Sequence, residues 1–377
     1  MVNAKSYILI AVVALIVGAI YFITGTGVKR SGLNEAETVT PRIVSGSGDM
    51  RKEEKSNTYE LAKEITTPDG FINTDNKPIT IKELIGKKVI LVDFWTYSCI
   101  NCQRTTPYLN AWYEKYKDTG FVIIGMHTPE FEFEKEYGNV ATAVEKFGIK
   151  FPVVLDNDYS TWTAYKNRYW PRKYLIDIDG YIVYDHIGEG AYEETERKIQ
   201  EALTERMAVL GERGAVVQEL TQETVSRPTP RSPETYFGAD RNEFFGSGAP
   251  GVSGSRNFVI PDTLNVSTLY LSGEWNIAGE FAQNISVGSK IIYKYAAKDV
   301  FLVSEAKETT TVEVRLDGKP LGAEAGADVV RTADGRTVVK IKEARLYRLI
   351  QGSQSEAGTL ELIVPQPGLK AFAFTFG

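Results

Sequence analysis

The chain has 377 residues, of which 43% are hydrophobic and 24% charged, the composition of a globular protein large enough for more than one domain. A formal net charge of −6 argues against nucleic acid as a partner, because phosphate binding needs a basic surface. Its two cysteines, Cys99 and Cys102, are too few for a disulfide-stapled secreted scaffold. The two histidines, His127 and His186, are isolated and lack ligand spacing, so the sequence predicts no metal site.

The N-terminal segment has the length and character of a membrane span. Residues 6–28 contain no charged side chain, and roughly 20 apolar residues cross the hydrocarbon core of a bilayer. We therefore predict a transmembrane helix, an uncleaved signal anchor, over residues 1–28. A cleaved signal peptide is the alternative, although the small residues at 25–27 make a poor cleavage site. Positive charges flank both ends of the segment and leave its orientation open.

Two further segments have the composition of linkers. Residues 29–58 are polar and rich in glycine, serine and charged side chains, which is typical of a flexible tether. Residues 212–233 contain three prolines and stand where a helical pattern gives way to alternating polarity. The sequence thus predicts two folded domains, at 59–211 and 234–377.

The first of these domains alternates strands with helices. Short apolar runs rich in β-branched and aromatic residues predict buried strands, and apolar residues at helical spacing predict helices. Together with an antiparallel hairpin, this order indicates an α/β sheet covered on both faces. The predicted strands are Val89–Trp95, Phe121–His127 and the two arms of Lys173–Ile187; the predicted helices are one that follows Cys99 with a kink at Pro107, Asn139–Phe147 and Tyr192–Leu210.

The C-x-x-C pair lies where the first predicted strand gives way to a helix. A cysteine at a helix N-terminus faces unpaired N–H groups and the positive end of the helix dipole, which stabilise thiolate, the attacking species in disulfide exchange. Cys102 lies about one turn after Cys99, so it can resolve a mixed disulfide. We predict Cys99 as the exposed nucleophile and Cys102 as the shielded resolving thiol. The alternative is two small buried side chains without chemistry.

The sequence VDFWTYSCINC resembles the active-site strand and helix start of the thioredoxins. This resemblance implies that Asp93 is the buried acid that relays a proton for the second cysteine, and that Trp95 packs beside the pair. For Asp93, a buried carboxylate without a proton role is the alternative. The segment RYWPRKYLID resembles the one that holds the cis-proline of that fold. It implies that Pro171 lies opposite the cysteines and that the backbone at Trp170 pairs with the substrate chain.

Residues 60–210 resemble the extracytoplasmic domain of DipZ-type proteins, which are TlpA-like thioredoxins, in WTYSCINCQRTTPYL, GMHTPEFEFEK, LDNDYSTWTAYKNRYWP and GEGAY. The resemblance implies a thiol–disulfide oxidoreductase anchored in the cell membrane with its catalytic domain outside the cytoplasm. Its partners would be exported proteins with cysteines, and its redox-active disulfide would take the place of a cofactor. DipZ-type chains often carry a CcdA-type electron carrier, so a reductase with a single membrane segment would need a separate CcdA/DsbD-type donor. Cytochrome c maturation is one pathway that the resemblance implies, and the direction of electron flow stays open.

Three other residues are candidates for the substrate groove. His127 and Glu130 follow the second predicted strand at its C-terminal end, the edge where the active site of such a sheet lies. Glu189 stands between two glycines after the hairpin. Ordinary loop positions are the alternative for all three. A thiol peroxidase is a weaker enzyme hypothesis, because Thr96 has the spacing of the peroxiredoxin signature but Val92 occupies its proline position.

The second domain is predicted to be all β. About eight short segments of alternating polarity between Thr268 and Phe376 predict a β-sandwich. The sequences SPETYFGADR, LSGEW and AFAFTFG resemble the domain that follows thioredoxin in DipZ-type chains, which is similar to a jelly-roll carbohydrate-binding module. Envelope glycans are therefore candidate partners, with Tyr236, Tyr270 and Trp275 as stacking residues or, alternatively, as core residues. The second class of function is an envelope- or glycan-binding protein whose disulfide is only structural.

Overall fold

The computed structural model describes residues 48–75, 77–222 and 232–377, which all belong to one compact unit. The predicted anchor at 1–28, most of the predicted linker at 29–58 and residues 223–231 lie outside the described residues. Within the described ranges, no helix combines the length and the apolar character that crossing a membrane requires.

The first region, up to residue 222, is an α/β fold built on a six-stranded sheet. The sheet order is β1-β4-β3-β2-β5-β6; β2–β3 and β3–β4 are parallel pairs and the other pairs are antiparallel. The strands are β1 Gly70–Ile72, β2 Val89–Trp95, β3 Phe121–His127, β4 Val153–Leu155, β5 Arg172–Ile176 and β6 Ile182–Ile187, and the helices are α1 Gly48–Ser56, α2 Ile81–Leu84, α3 Ile100–Tyr116, α4 Tyr137–Lys146, α5 Ser160–Ala164 and α6 Tyr192–Leu210.

Strand β2 shows why this sheet is covered on both faces. Its apolar side chains alternate between two clusters, with Val89, Leu91 and Trp95 in one and Ile90, Val92 and Phe94 in the other. The first cluster also contains the buried faces of α3, α4 and α6. The predicted strands Val89–Trp95 and Phe121–His127 and the predicted helix Tyr192–Leu210 are confirmed, because each is apolar on the faces that the structure buries.

The last part of the predicted flexible linker is a helix. Helix α1 places Arg51 and Lys55 one turn apart on the same side. The Nε of Arg51 lies 2.6 Å from an oxygen of Asp179, and the Nζ of Lys55 lies 2.5 Å from Asp177 and 2.6 Å from Glu205. Because these partners lie more than 120 residues further along the chain, the local composition of the segment gives no sign of them.

The second region, 232–377, is β-rich, with one eleven-stranded antiparallel sheet. The path through this sheet is β14-β15-β12-β16-β11-β17-β10-β9-β8, while β13 pairs with β12 and β7 with β17. The strands are β7 Thr235–Tyr236, β8 Gly254–Phe258, β9 Leu269–Ile277, β10 Ala282–Asn284, β11 Ser289–Ala306, β12 Thr310–Leu316, β13 Lys319–Pro320, β14 Val329–Arg331, β15 Thr337–Ile341, β16 Arg345–Val364 and β17 Leu369–Phe376.

Four of the short strands predicted in this region are halves of two long ones. Strands β11 and β16 run continuously for 18 and 20 residues. The alternating polarity predicts two strands within each of them, at Ile291–Ala296 and Val300–Glu305 in β11 and at Arg345–Ile350 and Leu360–Val364 in β16. The pairing register between them shifts at Ala297/Asp299 and again at Val300/Phe301. A bulge interrupts the alternation without ending the strand, so the pattern at these positions resembles a turn.

Candidate functional site

The two cysteines occupy the first turn of α3. Cys99 is the N-cap of the helix, and its Sγ accepts a hydrogen bond of 3.4 Å from the backbone N–H of Cys102. Cys99 is partly exposed, whereas Cys102 is buried, and both are free thiols. Burial, followed by the hydrogen bond with Cys99, raises the pKa of the Cys102 thiol well above its usual value. The site therefore has one accessible sulfur and one sulfur that is held protonated.

A buried carboxylate holds the loop that presents Cys99. One oxygen of Glu134 accepts hydrogen bonds from the N–H (3.2 Å) and the hydroxyl (2.7 Å) of Ser98. Its other oxygen accepts from the N–H groups of Glu130 (2.6 Å) and Phe131 (3.1 Å). Burial raises the pKa of Glu134, and these donors oppose that shift. Glu134 thus connects the loop before α3 to the loop after β3.

Asp93 lies on β2 in the interior, directly across the sheet from Lys173 of β5. Burial raises the pKa of Asp93 to about 7, and the charge of Lys173 opposes that rise. Its Oδ1 has no hydrogen-bond partner among the described residues. The charge of Asp93 also acts on the Cys102 thiol, so the two groups share one electrostatic environment. At neutral pH this carboxyl can therefore take up or release a proton.

The Trp170–Pro171 peptide bond is cis, in agreement with the prediction. Pro171 is buried, and the indole N–H of Trp170 donates to the carbonyl of Thr128 at 2.9 Å. Trp95 is buried in the same cluster as Cys102 and meets the ring of His127 edge to face. Trp170 is therefore held by a hydrogen bond, and Trp95 by its burial in the cluster that contains Cys102.

The three groove candidates separate into two groups. Glu130 and Glu189 line one cleft of about 540 Å³ together with Cys99 and Trp170. His127 is fully buried instead, stacks on Tyr97 and lies 3.4 Å from the hydroxyl of Thr96. Burial lowers the pKa of His127 to about 3, so its ring is neutral at pH 7. The structure thus places His127 beneath the groove and not in its wall.

The β-rich region forms the opposite wall of this cleft. Ile100, between the two cysteines, is buried in an apolar cluster that includes Phe131 of the first region, and its members from the second region are Phe301, Val303, Leu346, Phe372 and Ala373. Glu130 accepts hydrogen bonds from the hydroxyl of Tyr236 at 2.8 Å and from Arg241 at 2.9 Å. The active-site helix is therefore packed against the β-rich region at its first turn.

Two family models cover most of the described chain. The Redoxin family matches residues 60–203, and the family described as thioredoxin like C-terminal domain matches residues 232–377. The thiol-disulfide oxidoreductase ResA of Bacillus thuringiensis (strain Al Hakam) is 37% identical over 128 residues, which are 33% of this chain and 70% of ResA. The chain belongs to the thiol–disulfide oxidoreductases of the thioredoxin-like class.

Longer similarity exists to the protein DipZ of Mycobacterium tuberculosis (strain CDC 1551 / Oshkosh), which is 39% identical over 321 residues, or 83% of this chain. The chain spans 43% of the length of DipZ. Among solved structures, a thiol:disulfide interchange protein from Bacteroides sp. is 28% identical and matches 38% of this oxidoreductase and 90% of its own chain, with a TM-score of 0.31. The predicted resemblance to DipZ-type chains is confirmed, whereas the likeness of the second region to a carbohydrate-binding module stays a prediction.

Sequence reasoning missed two residues of this oxidoreductase's site. Lys173 is the second residue of β5, directly after Arg172, and aligning β5 with β2 would have placed it opposite Asp93. Glu134 lies in the charged run EFEFEK, which is typical of an exposed turn. Only the fold shows that this glutamate is buried beneath the loop at Ser98.

The described residues also contain one group of acids with the spacing of metal ligands, Asp177, Asp179 and Glu205. The ammonium of Lys55 lies within 2.9 Å of an oxygen of each of the three. This group is therefore an ion-pair network that holds α1 in place. The ammonium of Lys55 supplies the positive charge that a metal ion would otherwise bring.

Proposed function

We propose that this chain reduces disulfides of exported proteins outside the cytoplasm, by exchange with the Cys99–Cys102 pair. The observation that carries the proposal is the asymmetry of the pair: Cys99 is accessible at the N-terminus of α3, and Cys102 is buried one turn further on. A purely structural disulfide has no need for an accessible sulfur in a cleft beside a buried acid.

The exchange proceeds in two balanced steps. The Cys99 thiolate attacks one sulfur of the substrate disulfide, and the departing substrate thiolate takes up a proton. Cys102 then loses its proton and attacks the Cys99 sulfur, which releases the second substrate thiol and leaves the enzyme oxidised by two electrons. Asp93 acts as the proton acceptor for Cys102, since its pKa of about 7 lets it bind that proton at neutral pH.

Return of the enzyme to the dithiol form needs two electrons from another protein. By resemblance to DipZ-type chains, we propose a CcdA/DsbD-type carrier in the membrane as the donor, and an anchor in residues 1–28 that keeps the two proteins together. Exported proteins of cytochrome c maturation are one class of client. A membrane-impermeant maleimide tests the location: it should label Cys99 in intact cells, and labelling only after lysis would contradict an extracytoplasmic site.

Turnover of insulin with dithiothreitol as reductant tests the chemistry. We expect the wild type to reduce insulin, Cys99→Ser to be inactive, and Cys102→Ser to accumulate a mixed disulfide with its substrate. Each serine variant serves as the matched control for the other. Accumulation by Cys99→Ser, with none by Cys102→Ser, would reverse the assigned roles.

The reduction potential separates this proposal from a structural disulfide. A structural disulfide is expected below about −300 mV and resists glutathione, whereas a catalytic one lies higher and exchanges readily. Equilibration with glutathione buffers measures the value. A potential below that limit would favour the second class of function, a binding protein.

A carbohydrate-binding role of a jelly-roll-like sandwich at 234–377 has less support. Trp275 and Tyr270 are buried, and the hydroxyl of Tyr236 is bonded to Glu130, so these aromatics do not form an open stacking platform. A glycan array with the full-length protein tests the hypothesis, and signal on cell-envelope sugars would revive it. Consumption of hydrogen peroxide at a rate above that of insulin reduction would likewise revive the peroxidase alternative.

A further inference from the structure

The cleft at Cys99 does not end at the cysteine. It continues beyond Trp170 and Tyr236 into a second hollow of about 280 Å³, and Glu130 and Arg241 line both. One side of this path belongs to the first region and the other side to the β-rich region. A substrate that reaches Cys99 therefore contacts both regions at once.

Among the residues that the structure describes, carboxylates outnumber cationic side chains along this path. The two hollows are lined by three arginines, Arg104, Arg168 and Arg241, and by five acids, Glu130, Glu189, Glu234, Asp240 and Glu280. Two of the arginines are already engaged: Arg241 lies 2.9 Å from Glu130, and Arg104 lies 3.5 Å from Glu189. The three acids outside these two ion pairs, Glu234, Asp240 and Glu280, all come from the β-rich region, and they outnumber the one remaining arginine, Arg168, by two.

Glu234 lines the cleft and has a second carboxylate, Glu130, as a charged neighbour. Desolvation and, after it, the charge of Glu130 hold the pKa of Glu234 above its usual range, although Tyr236 and Arg241 act in the opposite direction. The side chain of Glu234 is nevertheless open to solvent within the cleft. A cation from a bound ligand would reach it and stabilise its charged form.

We propose that the β-rich region selects the substrate of the redox site, and that the cleft takes a polypeptide segment with lysine or arginine beside its cysteine. This inference rests on the proposed function and adds the charge of the substrate to it. The chemistry is the same two-electron thiol–disulfide exchange. The β-rich side of the cleft changes only how often a substrate docks and leaves the reacting sulfurs unchanged. Acidic segments are disfavoured because like charges repel along the same path.

Matched peptide disulfides test the selection. Three peptides of equal length carry one cysteine in a mixed disulfide with 5-thio-2-nitrobenzoate, flanked by two lysines, two glutamines or two glutamates. Pre-reduced full-length protein reacts with each in a single turnover, and release of the chromophore gives the rate. The rate with dithiothreitol corrects for the intrinsic reactivity of each peptide disulfide.

At low salt we expect the corrected rate for the lysine peptide to exceed that for the glutamate peptide by about ten-fold. Glu234→Gln should lower this ratio about threefold, and Glu234→Lys should bring it to about one or below. Asp262→Asn is the matched control, because Asp262 is an exposed acid of the β-rich region that lines neither hollow, and it should leave the ratio unchanged.

The proposed selection by the β-rich region would be overturned by a lysine-to-glutamate rate ratio that stays high in Glu234→Lys, or by a ratio of one in the wild type. The neutral peptide separates that result from a failure of the proposed function. If the wild type reduces the glutamine peptide and Cys99→Ser does not, the redox function stands and only the charge selection falls. If the wild type reduces none of the peptides, the proposed function itself fails.

Discussion

The two regions of the molecule differ in what they bury. In the first region nine side chains of aspartate, glutamate, histidine, lysine or arginine are buried, namely Asp93, His127, Glu134, Asp156, Lys173, Asp177, Asp179, Glu196 and Arg206. In residues 232–377 the buried polar side chains are serine, threonine and asparagine, and none of them is ionisable. The first region thus buries side chains that can carry a charge, whereas the second leaves such side chains on its surface or in the cleft.

Most of these buried side chains have hydrogen-bond partners for their polar atoms, whereas Asp93 and His127 each have one atom without a partner among the described residues. Glu196 is bound by Lys115, Tyr116 and Thr221, so it forms part of the structure. Asp93, by contrast, has one oxygen without a hydrogen-bond partner among the described residues, beside the buried thiol of Cys102. The comparison of Glu196 with Asp93 shows that a buried charge alone does not identify the active site. An incompletely satisfied one next to a nucleophile does.

Placing a carboxyl group in the core of the β-rich region should have the largest effect on the free energy of unfolding. The amide of Asn284 is buried, donates to the carbonyls of Ser286 and Gln366, and accepts from the N–H of Leu369. Asn284→Asp removes both donated bonds and adds a charge, so we expect a loss of about 3 kcal/mol or more in the free energy of unfolding at pH 7. Asn257→Asp, on an exposed position of β8, is the control. Equal stability of the two variants in urea would show that the second region tolerates charge as the first does.

The reverse change at Asp93 should stabilise the protein. The folded-state pKa of about 7 lies above the usual 3.8, so the native state binds the extra proton and loses stability as pH rises from about 4 to 7. Asp93→Asn removes this loss, and we expect a gain of about 3 kcal/mol at pH 8 that vanishes below pH 4.

Asp93→Asn should also slow the resolving step by roughly ten-fold or more, because Cys102 loses its proton acceptor. Urea unfolding at the two pH values and stopped-flow decay of the mixed disulfide measure the two effects. A gain in stability with no change in the resolving rate would leave Asp93 without a proton role.

An intermediate effect is expected at Glu134. An amide has one acceptor oxygen, so Glu134→Gln leaves either Ser98 or the N–H groups of Glu130 and Phe131 without their acceptor. We expect a loss of about 2 kcal/mol and a slower reaction of Cys99. Glu145→Gln, at an exposed position of α4, controls for the change in charge. If Glu134→Gln is less stable but its Cys99 reacts at the wild-type rate, then Glu134 contributes to stability and not to the reactivity of Cys99.

The smallest effect is expected at the contact between the regions. The ring of Phe372 packs against Phe131 and Phe133, in the cluster that buries Ile100. Phe372→Leu should cost about 1 kcal/mol and raise the alkylation rate of Cys99, because the wall of the cleft loosens. Phe258→Leu, in the core of the β-rich region away from Ile100, should cost a similar amount without that change. Identical alkylation rates of Cys99 in both variants would show that the packing of the second region does not affect the redox site.

The sequence predicts the strands whose consecutive side chains are all, or nearly all, buried. Strands β2 and β3 are apolar on both faces, so their ends show as abrupt changes of polarity. Cys99 and Cys102 are predictable because their spacing carries the chemistry without any tertiary contact. The cis bond at Pro171 is predictable only through the resemblance to thioredoxins.

The remaining features depend on contacts between distant parts of the chain. The burial of Glu134 and Lys173 follows from packing, and charged residues in a sequence otherwise indicate a surface. The contribution of Glu234 and Tyr236 to the cleft follows from the way the regions pack. The length of β11 is hidden by its bulges, since period-two reasoning treats each bulge as an end.

The most direct test of the account is competitive alkylation of the fully reduced full-length protein with iodoacetamide at neutral pH, followed by peptide mass spectrometry. We predict that Cys99 is labelled at least about ten-fold faster than Cys102, and that Cys102 reaches the same rate only after unfolding in guanidinium chloride. Equal labelling of the two sulfurs in the folded protein, or faster labelling of Cys102, would contradict it.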